Sequence, residues 1–421
     1  MNKLLRNVPF SPPDMSDEEV KLVTEAIRSG WITTGPKTKE FEKKIAAYCH
    51  TGKAVCLSSA TAAMETVLHL LGIGPGDEII VPAYTYTATA SISQHVGAKL
   101  VLIDSQPDSV EMDYDRLYDA ITERTKVVIP VDLGGIVCDY DKVYAAVNAR
   151  KALFRPSNEI QKVIGRVAVL ADCAHAFGSE WHGCKAGSIA DFSCFSFHAV
   201  KNLTTAEGGA MTWHLSFGDE PVKMDAGTTV PVIEGETWDE YLYRLGQLLS
   251  LHGQNKDALS RCRLNSWEYD VIGPWYKCNM TDITAAIGLA QLSRYEAMLA
   301  RRREIVAMYN ERLKDCNVSV LNHRDTDHCS SHHLYLVRLN GKSRKQANEV
   351  ISAMGERGIA CNVHYKPLPM MTAYKALGYD IKDFPNAYHL FENEVSLPLY
   401  SRMTDEDVEY VISNFVDIIR G

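Results

Sequence analysis

Lys201 lies in Ser196-Phe197-His198-Ala199-Val200-Lys201-Asn202-Leu203-Thr204-Thr205-Ala206-Glu207-Gly208-Gly209, about thirty residues beyond an apolar run that ends on Asp172. An amine able to form an imine and a carboxylate able to hold a cation are the two groups that pyridoxal phosphate chemistry takes from a protein. The amine condenses with the cofactor aldehyde. The carboxylate keeps the pyridine nitrogen protonated, so the ring accepts electrons. Asp172 follows Val167-Ala168-Val169-Leu170-Ala171, where a carboxylate is costly to bury without a partner. A pyridinium is one such partner, and a helix cap at a strand–helix turn is the other reading. His175, three residues on, can donate to the ring's phenolic oxygen or serve as a structural histidine.

Other segments offer parts of the same kind. Leu57-Ser58-Ser59-Ala60-Thr61-Ala62-Ala63-Met64 places small residues in the first turn of a helix that follows a strand. Unpaired N–H groups and the helix dipole bind phosphate there, although an ordinary capped helix fits the same residues. Pro82-Ala83-Tyr84-Thr85-Tyr86-Thr87-Ala88-Thr89 follows a strand, where loops hold ligands, and an aromatic ring can cover one face of a flat cofactor or pack on the sheet edge. Gly72-Ile73-Gly74-Pro75-Gly76-Asp77 imitates a dinucleotide fingerprint but comes after a helix and before a strand, so it reads as a helix stop and a turn. His323, His328, Cys329, His332 and His333 loosely match zinc-ligand types. No paired CxxC accompanies them, and the segment reads as a solvated loop leading into a strand, with no metal site.

These residues need a scaffold. Short β-branched runs at 54–57, 78–81, 99–104, 127–131 and 167–172 alternate with helical patterns, among them 15–28 capped by Ser16 and 59–71 stopped by Gly72. This predicts an α/β fold with a mostly parallel central sheet flanked by helices. A strand at 191–197 continues the sheet. The acidic, turn-rich stretch 214–245 reads as a surface insertion, and 281–315 as one long helical stretch. A strand at 334–339 and a helix at 344–355 open a smaller C-terminal α+β domain. The expected division is a large domain over 1–275, including an N-terminal helical segment, and a small domain over 276–421.

The chain has 421 residues, 46% of them hydrophobic and 23% charged, the balance of an ordinary globular protein. A net charge of −9 without a long basic run argues against nucleic-acid binding. No stretch of about 18 apolar residues suggests a membrane span, and the first seven residues do not form a signal peptide. Eleven scattered cysteines fit a reducing compartment, so a cytoplasmic enzyme is expected.

Taken in order, these segments resemble the DegT/DnrJ/EryC1/StrS family of sugar aminotransferases, of the aspartate aminotransferase-like fold (fold type I) of pyridoxal phosphate enzymes. The resemblance includes Ser29-Gly30-Trp31-Ile32-Thr33-Thr34-Gly35-Pro36, Gly74-Pro75-Gly76-Asp77-Glu78, Asn279-Met280-Thr281-Asp282 and His364-Tyr365-Lys366-Pro367-Leu368. The lysine motif with its trailing Glu-Gly-Gly is the most specific part. The resemblance implies Lys201 as the covalent attachment point and proton shuttle, Asp172 as the pyridinium partner and His175 as the residue beside the phenolic oxygen. Thr61, Ala62 and Ser196 would bind the cofactor phosphate, and Tyr86 would stack on the ring. His198 and His364 would contact substrate. Lys277 and Asn279 would reach the cofactor phosphate of a partner subunit, which implies a homodimer with shared active sites.

His198-Ala199 and Thr204-Thr205-Ala206-Glu207 look like the motif of members that aminate C4 of a nucleotide-linked (UDP or dTDP) 4-keto sugar with L-glutamate as donor, for cell-surface polysaccharide or glycan biosynthesis. A C3-specific sugar aminotransferase, a sugar dehydratase and a non-catalytic regulator of the same fold are the alternatives. Dehydratase relatives place His where Lys201 stands, and a regulator has no need of the Lys201–Asp172 pair. A nucleotide-sugar dehydrogenase is disfavoured by the missing glycine fingerprint.

Overall fold

Apolar runs of four or five residues become sheet interior when both faces of each strand are covered. The computed structural model describes residues 6–223, 230–256 and 268–420. Its first strands are β1 (Ala54–Leu57), β2 (Glu78–Pro82), β3 (Lys99–Ile103), β4 (Thr125–Val128) and β5 (Ala168–Asp172). The short β6 (Glu180–Trp181) and β7 (Cys184–Lys185) follow, then β8 (Phe192–Ser196) and β9 (Gly209–Trp213). Seven of them form one sheet in the order β1-β9-β8-β5-β4-β2-β3. β3, β2, β4, β5 and β8 are parallel neighbours, and β9 runs antiparallel between β1 and β8. Alternate residues serve opposite faces: Val127 and Leu170 enter one core, Val128 and Val169 the other.

Helices α1 (Asp17–Arg28), α2 (Pro36–Cys49), α3 (Ala60–Leu70), α4 (Thr87–His95), α5 (Tyr114–Ala120), α6 (Tyr140–Ala149) and α7 (Glu159–Ile164) accompany the sheet. α1 begins where Ser16 and Glu19 close a capping box. α3 opens at Ser59, whose Oγ accepts the Ala62 N–H. The smaller lobe is an antiparallel sheet of β10 (Val318–Val320), β12 (Tyr335–Leu339) and β13 (Glu394–Leu397). It has its own apolar core. Between β10 and β12, β11 (His328–Cys329) pairs with β6 and stitches the two lobes together.

Four expectations differ from the structure. The run 127–131 stops as regular ladder at Val128, because Pro130 has no N–H to give; Val131 still bridges Asp172. The stretch 281–315 is two helices, Asp282–Ser293 and Tyr295–Leu313, parted at Arg294. The stretch 214–245, of which 224–229 lie outside the described residues, is not wholly a surface insertion. Phe217, Val230, Trp238, Tyr241 and Leu242 are core residues, and α8 (Trp238–Ser250) begins inside it. Its acidic residues include the first-turn pair Asp239 and Glu240, with Thr237 as cap. Lastly, the histidine-rich loop is solvated only in its first half, where 322 and 324–327 are exposed. His323, His332 and His333 are buried. Ser331 N–H donates to Ser179 Oγ at 2.9 Å and His333 N–H to Gly134 O at 3.2 Å, so the loop is clamped under the sheet end.

Candidate active site

The carboxyl ends of parallel strands leave a crevice where ligands bind. Here it is a cleft of about 540 Å3, bounded by the ends of β5 and β8, the start of α3, the loop before α4 and residues 362–365 of the small lobe. Asp172 and Lys201 both line it. Asp172 ends β5 and is buried. Its Oδ2 accepts from Thr89 Oγ1 at 2.6 Å and its Oδ1 from Ala174 N–H at 3.1 Å. Burial raises its pKa, against these two hydrogen bonds and the nearby Lys201 charge. An acid held mainly by neutral donors in an apolar setting is one that a cation would stabilise.

Lys201 is presented by the connection from β8 to β9. Thr205 N–H and Thr204 Oγ1 both donate to Phe197 O, and Lys201 N–H donates to His198 O at 2.9 Å. Ala206 sits at φ +68°, its N–H held by Thr204 Oγ1 at 2.9 Å. Burial lowers the Lys201 pKa from 10.5 to about 8, with Asp172 pulling the other way. A sizeable share of the amine is therefore neutral near physiological pH, as nucleophilic attack requires.

The trailing glycines have a steric reason. A Cβ on Gly209 would lie 2.3 Å from the Ser59 carbonyl carbon and 2.5 Å from Ala60 N. Strand β9 thus starts hard against the first turn of α3. Ser59, Ala60 and Thr61 face the cleft there, and the amides of a helix start suit a phosphate. Ala62 is set apart from them, since its N–H is engaged by Ser59 Oγ at 3.0 Å.

His175 Nδ1 accepts the Gly134 N–H at 3.1 Å. A neutral imidazole with Nδ1 accepting carries its proton on Nε2. That atom lies 3.2 Å from Tyr365 Oη, so His175 donates to Tyr365. Burial, then the charges of Lys201 and His364, hold its pKa well below the ordinary value and keep it neutral. Tyr86 is exposed at the cleft mouth, its ring 5.9 Å from that of Tyr365. Ser196 and His198 line the same cleft, with His198 Nε2 3.6 Å from Glu207 Oε1.

His364 closes the opposite wall. Its carbonyl accepts from Tyr84 Oη at 2.7 Å, and its ring stacks on Phe10 at 5.4 Å. The segment carrying Phe10 also touches the lysine loop, through Ser11 Oγ to Val200 O at 3.3 Å. Lys277 and Asn279 are not on this wall. Lys277 is hydrogen-bonded to Asn279 in a segment alongside the end of β1, where Ser58 N–H donates to Cys278 O.

The structure therefore brings together Lys201, Asp172, His175, Thr61, Tyr86, Ser196, His198 and His364. Sequence reasoning missed four contributors. Thr89 stood inside the aromatic loop it singled out. Tyr365 stood beside His364. Val363 carried no signal. Asp132, a buried acid pushed up to about 7 by burial, also lines the cleft; like Asp172 it follows an apolar run, which was the available clue. The arrangement fits pyridoxal phosphate: an amine of lowered basicity, a buried acid hydrogen-bonded only by neutral donors and an open helix start share one cavity of the size that holds a cofactor.

The DegT/DnrJ/EryC1/StrS aminotransferase family model matches residues 13–416. A spore coat polysaccharide biosynthesis protein of Bacillus subtilis, SpsC, is 37% identical over 420 residues, covering 98% of this chain and 97% of its own. A putative sugar aminotransferase of Streptococcus pneumoniae is similar in its apo form at 50% identity and TM-score 0.91, covering 99% of this chain and 98% of that one. Its pyridoxal phosphate form gives 49% and 0.90 with 99% of each covered. The Helicobacter pylori aminotransferase PseC, involved in pseudoaminic acid biosynthesis, has TM-score 0.81 at 26% identity over 99% of this chain and 100% of that one. The fold is fold type I of pyridoxal phosphate enzymes, and the chain belongs to the DegT/DnrJ/EryC1/StrS aminotransferase family.

Proposed function

We propose that this chain moves the amino group of L-glutamate to the 4-keto carbon of a nucleotide-linked sugar, for surface polysaccharide or glycan synthesis, as a homodimer with pyridoxal phosphate in the cleft. One observation carries the reading: Lys201 and Asp172 share a cleft in which the amine is lowered to about 8 and the acid is raised. The similar Streptococcus pneumoniae protein has pyridoxal and pyridoxamine phosphate forms, and the Bacillus subtilis relative is named for polysaccharide biosynthesis; both support it.

When bound, the cofactor supplies an aldehyde for the incoming amine and a ring that accepts the electrons of the broken Cα–H bond. Lys201 would take that proton on Nζ and return it to the carbon on the far side of the shared nitrogen. Its lowered pKa matches this work, because a base near the operating pH both accepts and releases. Asp172 holds the ring nitrogen's proton, and Thr89 and Ala174 N–H keep the carboxylate aimed. Ala60 and Thr61 offer helix-start amides to the phosphate, with Ser196 beside them. Ala62 belongs to the same helix start, but its amide already serves Ser59. Tyr86 covers one face of the ring. His175, neutral and protonated on Nε2, donates to the phenolic oxygen in exchange for Tyr365. His198 and His364 contact the sugar. Lys277, exposed and placed off this chain's own cleft wall, would approach a second copy, with Asn279 holding it in place.

The test is direct. Purified protein with glutamate and candidate UDP- and dTDP-4-keto sugars should give one aminated product by mass and NMR, with 2-oxoglutarate released. Amination at C3 would overturn the regiochemistry, and no amination of any keto sugar would overturn the function.

A further inference from the structure

Glu394 and Ser396 stand on β13 in the small lobe, 1% and 0% exposed. Alternate residues of a strand point to one side, and this side faces His364. Ser396 Oγ contacts Glu394 Oε1 at 2.5 Å, and His364 Nδ1 lies 2.8 Å from Ser396 Oγ. Glu394 Oε2 accepts the His364 N–H at 3.0 Å. The three side chains form one unbroken hydrogen-bonded line that ends in the cleft, since His364 lines it.

A serine hydroxyl has one proton to give, so the line has two states. In the first, Glu394 is ionised, Ser396 donates to it, His364 carries its proton on Nδ1, and Nε2 is an acceptor. In the second, Glu394 is protonated and donates to Ser396, Ser396 donates to Nδ1, and Nε2 carries the proton. The second state holds one proton more than the first, so a proton entering or leaving at His364 Nε2 converts one into the other as the remaining protons shift along existing hydrogen bonds. Burial pushes Glu394 up to about 8, against Ser396, the His364 amide and Arg344; burial and the Lys201 charge lower His364 to about 3. The Glu394 shift favours the second state near neutral pH, and the His364 shift keeps the imidazole neutral in either, so a neutral donor faces the cleft. The charged and titratable neighbours of the line are Arg344 on the helix over β13, Cys361 and Tyr365 on the segment of His364, Tyr84 and His175 on the large lobe, His333 before β12 and Lys201 across the cleft.

We infer that Glu394, Ser396 and His364 are a proton relay that gives a proton from His364 Nε2 to the oxygen leaving a substrate carbonyl as water, and takes one from water when the reaction runs the other way. The proposal rests on the transamination reading of the cleft. The balance closes without a further reagent. Replacing C=O by C=N transfers two protons from nitrogen to the departing oxygen. His364 supplies one of these as Ser396 refills Nδ1 and Glu394 refills Ser396. A proton leaving the nitrogen returns to Nε2 and reverses the shift. His364 is the catalytic member, and Ser396 and Glu394 are positioning residues.

The experiment separates Cα proton removal from the oxygen step, using the holoenzyme and glutamate deuterated at Cα. Loss of deuterium to solvent reports Lys201, whereas 2-oxoglutarate release also needs water to be activated. In Ser396→Ala and Glu394→Gln, deuterium loss should stay within about twofold while release slows by about 100-fold, the lower end for general acid–base catalysis. Ser396→Thr should restore release. Nitrogen NMR of His364 should show the proton on Nε2 in the parent and a changed tautomer population in Ser396→Ala. Equal slowing of both steps, no slowing of release, or a parent His364 protonated on Nδ1 would overturn the relay. Absence of deuterium loss in the parent would instead overturn the donor half of the proposed function.

Discussion

The two walls of the cleft are built on different principles. On the large-lobe wall, Asp172, Ser196 and Lys201 sit at or just beyond strand ends of a buried, mostly parallel sheet, so their positions follow from the chain's own local register. On the small-lobe wall, His364 and Tyr365 belong to no regular element. They are fixed from a distance, by Tyr84 on the carbonyl, Glu394 on the amide and Ser396 on the ring. The first wall carries groups whose chemistry is set by burial. The second carries groups whose proton positions are set by neighbours.

The comparison predicts unequal damage. Lys201→Ala should cut turnover by at least about 10^4-fold, the upper range for a proton-transfer group, and abolish the absorbance of the lysine-bound cofactor. A variant with parental turnover would show that the first wall has been misassigned. Asp172→Asn removes the anion facing the cofactor's ring cation; breaking one side of a buried charge pair costs about 3–5 kcal/mol, so cofactor retention measured by dialysis should fall by about two to four orders of magnitude.

The same substitution has a pH signature. In the parent, Lys201 is neutral above about pH 8, so covalent capture of the cofactor should rise about tenfold per pH unit below that value and level off above it. Asp172 holds this pKa up; without it the plateau should begin at lower pH. A plateau moving upward would contradict the arrangement. Gly209→Ala should push the start of α3 aside, lowering thermal stability and phosphate affinity by about 1–3 kcal/mol; an unchanged melting temperature and cofactor Kd would mean the strand yields instead.

The smallest expected effect joins the walls. Tyr365→Phe removes the hydroxyl facing His175 Nε2, a hydrogen bond worth about 1 kcal/mol. Since loading exchanges that hydrogen bond for the cofactor's phenolic oxygen, cofactor Kd should fall by roughly fivefold while holoenzyme kcat/KM is kept. A loss approaching that of Lys201→Ala would make Tyr365 part of the first wall's chemistry.

How far each wall could be read from the chain follows the same division. Asp172 and Lys201 stand out because a carboxylate after five apolar residues, and a lysine followed by Glu-Gly-Gly, are local patterns. The parallel sheet was legible for the reason that Val127, Val128, Val169 and Leu170 all had to be covered. Ser396 and Glu394 were not legible, since their role comes from contacts spanning about thirty residues and has no spacing of its own. The second half of the histidine-rich loop misled because its polarity suggested solvent, whereas Ser331 donates its hydroxyl to His175 O and its N–H to Ser179 Oγ. The acidic stretch misled similarly: helix-start carboxylates resemble a loop when Trp238 and Tyr241 are not yet known to be inside.

Phe10 lies flat on His364, while Ser11 holds the backbone next to Lys201 from 189 positions away. The amino-terminal strap is thus a latch over both walls at once. Proteolytic trimming past Phe10, or a bulky fusion that drags on it, would loosen the reactive centre without touching any residue that does the chemistry, and partial loss of activity on storage should be traced there first.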